Sequence, residues 1–87
     1  MPIYILIEID TDLRSVQHHA QATAYRTRRR AEQALRDQYA EAYQGLHLAG
    51  ETMTVADQGL TGEKLATATI VTEHDEYEWK IEEGTVQ

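Results

Sequence analysis

The chain contains no cysteine and no phenylalanine, one proline, one tryptophan and, at Ser15, a single serine. Without cysteine, disulfides and thiolate metal sites are excluded. That suits a reducing compartment without requiring one. With no cysteine and no elbow motif around any Ser or Thr, nucleophilic catalysis has almost no material to work with. No apolar run approaches the ~18 residues that cross a bilayer. The start Met1-Pro2-Ile3 lacks the basic leader of a signal peptide. A soluble cytoplasmic protein is the expectation. One proline and five glycines leave little for long disordered linkers. At 87 residues the chain makes one domain, and a domain of that size buries only about 60% of its unfolded surface.

Cations are also scarce. Eight Lys and Arg face fifteen Asp and Glu, for a net charge of −7. That balance opposes general nucleic-acid binding, whose non-specific affinity comes from phosphate neutralisation. The few cations are unevenly placed. Arg26, Arg28, Arg29 and Arg30 fall within five positions, in a chain that is otherwise acidic.

The clearest strand is Ile3-Tyr4-Ile5-Leu6-Ile7-Glu8-Ile9, whose isoleucines recur at period 2. Asp10-Thr11-Asp12 follows as a turn. Residues 16–25 alternate small and polar side chains as a strand would, although their Ala and Gln suit a helix equally. A hairpin returning from the first strand favours the strand. Thr27 is an N-cap candidate for a helix over 28–44, which has no Gly, Pro or β-branched residue. Ala31, Ala34, Leu35, Tyr39, Ala42 and Tyr43 draw one apolar stripe along it, and Gly45 offers a stop. Residues 46–64 read mostly as loop, with a short candidate strand over 52–55. The chain closes on a hairpin, 65–72 against 76–82, turning around His74-Asp75.

These elements imply an α+β domain: an antiparallel sheet of three or four strands with one long helix on one face. The helix stripe is expected to cover Ile3, Ile5, Ile7, Trp79 and Ile81. Tyr4, Leu6 and Val71 would then emerge on the opposite face as an apolar patch. Such a patch suits a homodimer.

The element order resembles that of small, uncharacterised strand–helix–hairpin proteins of lactic-acid bacteria and their phages. The stretches IYILIEID, AYRTRRRAEQALRDQYAEA and EYEWKIEE carry the likeness. It supports the fold and implies no activity or site residues.

Candidate sites divide unevenly. Asp10-Thr11-Asp12 has the outline of the first motif of haloacid-dehalogenase-type phosphatases, but the chain is too short for the parallel sheet that chemistry needs. It also lacks the ligand and glycine positions of an EF-hand loop. Gly59-Leu60-Thr61-Gly62-Glu63-Lys64 has a Gly-x-x-Gly spacing without Walker A geometry. His18 and His19, adjacent on a strand, would point to opposite faces and cannot share a metal. No catalytic residue, cofactor site or metal site is expected. The arginine cluster stands apart, because three cations at a helix start oppose the macrodipole. Either Arg26, Arg28, Arg29 and Arg30 pair internally with acids such as Glu8, Asp10, Glu78 or Glu82, or are simply solvated, or they meet an outside anion. Two functions follow: a non-catalytic module binding a protein partner, or an anion or nucleic-acid binder acting through the cluster.

Overall fold

The computed structural model describes residues 1–57 and 66–85. The chain folds as β1 (Pro2–Asp12), β2 (Gln17–Tyr25), α1 (Arg28–Leu48), β3 (Thr54–Asp57), β4 (Thr67–Val71) and β5 (Asp75–Thr85). The strands form one sheet in the order β2-β1-β5-β4-β3, antiparallel at every pairing. The class is α+β with the helix on one face, as expected, but the sheet has five strands because residues 54–57 pair with β4.

The first strand runs through the anticipated turn to Asp12, and the reversal falls on Leu13 to Val16 instead. Asp12 sets it up locally. Its Oδ1 accepts from the Arg14 N–H at 2.9 Å and its carbonyl accepts from the Val16 N–H at 2.7 Å. Val16 closes the turn at φ +57°, a region that a β-branched residue rarely enters. The β4–β5 turn is held by Thr72, whose hydroxyl accepts from the Asp75 N–H at 3.0 Å.

The helix begins where the sequence places it, with the Thr27 hydroxyl accepting from the Arg30 N–H at 3.2 Å. It does not stop at Gly45. Leu46 prolongs the apolar stripe, and the chain leaves the helix at Gly50, with φ +76°. The Gly50 N–H reaches the His47 carbonyl and the Glu51 N–H reaches that of Leu46, both at 3.0 Å, satisfying the last carbonyls.

The core lies between this helix and one face of the sheet. Leu35 and Tyr39 pack on Leu6, Ala68, Ile70 and Trp79, with Tyr25, Tyr77 and Ile81 at the margin. Trp79 sits at the centre at 1% exposure, edge-on to Tyr39 (ring centroids 5.7 Å apart) and stacked with Tyr77 at 6.3 Å. The faces of β1 are therefore the reverse of the expected ones. Register decides it: Leu6 lies opposite Ile81 and Glu8 opposite Trp79, so the even residues of β1 share the tryptophan's face. The odd residues lie opposite Gly84, Glu82, Lys80 and Glu78, the polar side of β5. Four isoleucines outnumber Tyr4 and Leu6, yet β5, apolar on one face only, makes the choice.

Candidate functional site

The inversion moves the candidate dimer face. Leu6 is 2% exposed beneath the helix, and Tyr4 shares that side, so neither belongs to an outward patch. Of the three expected residues only Val71 lies on the open face, opposite Glu76 and in the row of Thr11 and His18. In their place stand Ile3, Ile5, Ile7 and Ile9, each half-buried. On one side they are flanked by the exposed Ala20, Ala22 and Ala24 of β2. On the other side runs the charged row Glu76, Glu78, Lys80 and Glu82 of β5, in which Lys80 Nζ lies 3.6 Å from Glu82 Oε1. The isoleucine row is continuous and no element of the described residues packs over it. Isolated apolar side chains on a surface are ordinary, but a contiguous row is not.

The four arginines stay together at the opposite end of the sheet from the β1–β2 turn, following the last residue of β2. Arg28 is the only one of them with an ion pair among the described residues, its Nε donating to Glu32 Oε1 at 2.8 Å. Glu32 is one turn further along the same helix and is itself buried. The internal partner is therefore an i,i+4 neighbour on the helix and not Glu8, Asp10, Glu78 or Glu82. Arg26, Arg29 and Arg30 are exposed, and the first helical turn carries no acid.

The other end of the sheet is acidic. Asp12 lies directly opposite Asp75, with Asp10 two residues away on the same face. Burial, then the charges of Asp75 and Asp12, push the Asp10 carboxyl above the usual range, with His19 opposing them. Asp12 moves the other way, chiefly because the Arg14 backbone N–H bonds its charged form. Burial, with Asp75, Asp10 and Glu51 behind it, raises the Tyr77 phenol. Sequence reading misses this convergence because it needs the first strand to meet the last.

Two clefts flank this end. One, of about 550 Å³, lies between helix and sheet and is lined by Glu8, Gln38, Glu41, Leu46 and Tyr77 among others. The other, of about 370 Å³, holds Glu8, Asp10 and His19. Among the described residues, neither is lined by Ser, Thr, Cys or Lys. His18 and His19 separate as their adjacency requires, His18 Nδ1 hydrogen-bonding Thr11 Oγ1 at 2.9 Å while His19 lines the second cleft. No group of three or more potential metal ligands forms among the described residues. The Gly59–Lys64 spacing lies outside them. No helix among the described residues is long and apolar enough to cross a membrane.

No protein-family model, curated protein or solved structure matches the chain.

Proposed function

We propose that this chain is a non-catalytic interaction module whose working surface is the open sheet face, and that it binds a protein. One observation carries the reading: Ile3, Ile5, Ile7 and Ile9 form a continuous row on the face that the helix leaves bare, bordered by Ala20, Ala22 and Ala24. A sheet buries a face by acquiring a second layer. The described residues form one long helix, and that helix is committed to the Trp79 side. The missing layer is then supplied from outside.

The Ile7→Lys variant tests this, because it puts a charge in the middle of the row without touching the core. Affinity capture from the native cell extract should retain a protein on the wild type and lose it on Ile7→Lys. Equal retention on both chains would overturn the reading. A second reading rests on the exposed Arg26, Arg29 and Arg30 at a helix start without acids. Capture of nucleic acid that weakens linearly in log affinity with log salt, and is lost in an Arg29/Arg30→Ala variant, would shift the function there.

A further inference from the structure

The open face is self-complementary, and we infer that its occupant is a second copy of the same chain, packed sheet on sheet about a two-fold axis running across the strands between the Ile5 and Ile7 rows. The inference rests on the proposal that this face is the working surface. The midpoint of the isoleucine row falls between Ile5 and Ile7. Ile5 lies opposite Glu82 and Ile7 opposite Lys80. A two-fold at that midpoint lays Ile5 over the partner's Ile7 and Ile3 over the partner's Ile9. The same operation brings Lys80 over the partner's Glu82, twice, so unlike charges meet across the contact. It also sets Glu78 over the partner's Gly84, which has no side chain of its own. Ile3 and Ile5 lean over that glycine: a Cβ there would meet Ile3 Cγ1 at 3.7 Å and Ile5 Cδ1 at 4.0 Å.

The competing closed arrangement, with the axis along β1, superposes isoleucines equally well. It stacks β2 on the partner's β5, placing Ala22 over Lys80 and Ala24 over Glu82, with no charge answered in those rows. Cyclic two-fold contacts pair a patch with itself, and electrostatic complementarity selects the register among packings of equal apolar content. Charge therefore separates the two arrangements. With strands about 4.8 Å apart and residues about 3.4 Å long, the three stacked strands cover roughly 15 by 30 Å per copy. That is at the small end of specific interfaces, so the dimer belongs to the weak class and needs concentrated protein to be seen.

The test is sedimentation equilibrium of the full chain from about 10 to 500 µM, spanning the range of a weak contact. Wild type should move to twice its 9.9 kDa mass. Lys80→Glu and Glu82→Lys should each weaken the dimer by about tenfold or more, because like charges then meet across the axis. The double variant Lys80→Glu/Glu82→Lys should recover most of that loss. Ile7→Lys should remain monomeric throughout, with an unchanged circular dichroism spectrum reporting the fold. A wild-type monomer at the highest concentration overturns the inference. It leaves the interaction reading to its own test, since a different protein could still bind the face. A dimer indifferent to both single charge changes also overturns it, and would point to the arrangement with its axis along β1 or to pairing along the edge strand β2. A double variant no better than the singles overturns the register.

Discussion

On β1, Leu6 is almost completely buried under the helix between Thr23 and Ile81, while its sequence neighbours Ile5 and Ile7 stay half-buried on the other side of the sheet. The strand's own composition, four isoleucines against Tyr4, Leu6 and three acids, favours the face that stays open. What differs is the company. The Leu6 side meets Trp79, Ile70, Leu35 and Tyr39. The Ile5 side meets alanines on one flank and the row Glu82, Lys80, Glu78 on the other. A residue's contribution in this small domain is therefore set by the strand beside it, and hydrophobicity alone does not rank it.

The widest separation of the two faces should come from truncation. Leu35→Ala and Trp79→Ala remove fully buried side chains and should cost about 2–5 kcal/mol each. That is a large part of the total for a domain whose stability is of the order of 5–15 kcal/mol. Ile7→Ala, with comparable chemistry but partial burial, should cost about 1 kcal/mol in dilute urea titrations. If the proposed dimer forms, its cost should grow with protein concentration, because dimerisation stabilises by mass action and the truncation removes part of that gain. Equal losses for Leu35→Ala and Ile7→Ala in dilute solution would mean that the faces have been wrongly distinguished.

Charges give a second, smaller contrast. Arg28 is partly covered and donates to a Glu32 carboxylate that is almost out of solvent. Arg28→Ala leaves that carboxylate unpaired, and should cost about 1–2 kcal/mol after allowing for the arginine's own partial exposure. Lys80 pairs with Glu82 on the open face at 3.6 Å with both groups in contact with water. Lys80→Ala should then change monomer stability by less than about 0.5 kcal/mol. Thermal melts at low concentration compare the two. A Lys80→Ala loss as large as that of Arg28→Ala would show the open face contributing to the fold itself.

The outline of this fold was legible in the sequence, and the reason is locality. Thr27 and the stripe through Ala31, Leu35 and Tyr39 define a helix from neighbouring residues. The Ala68–Ile70 and Tyr77–Trp79–Ile81 alternations define a hairpin in the same way. The helix end was misplaced because Gly45 carries no positive φ and Gly50 does, a difference that arises only once Leu46 is packed. The facing of β1 was unreadable for a stronger reason. Its period-2 pattern is apolar in both phases near the N-terminus, so the choice passes to the register with β5, from the far end of the chain. The candidate site follows the same division. The arginine cluster was visible as a run, and the i,i+4 spacing of Arg28 and Glu32 was there to be read. The apolar row is legible as isoleucines but not its side of the sheet, and the meeting of Asp10, Asp12 and Asp75 depends on non-local pairing.

The smallest expected effect is a difference in pH dependence between two aspartates of the helix-side face. Asp10 has its carboxyl pushed up by burial and by Asp75 and Asp12, so the folded state holds that proton more tightly than the unfolded chain, where the value is near the ordinary 3.8. Stability is thus lost as pH rises from the unfolded value through the higher folded one, and the penalty persists at neutral pH. Asp12, held below its usual value by the Arg14 N–H, has the opposite sign: its stabilisation is present above 3.8 and is lost as pH falls. Asp10→Asn should therefore raise stability slightly at pH 7, and the gain should shrink towards zero as the pH is lowered below the ordinary carboxylate range. Urea midpoints of wild type and Asp10→Asn measured at pH 7 and pH 3 report the difference directly. A variant that is less stable than wild type at pH 7 would mean that His19, and not burial with the neighbouring acids, dominates the environment of Asp10.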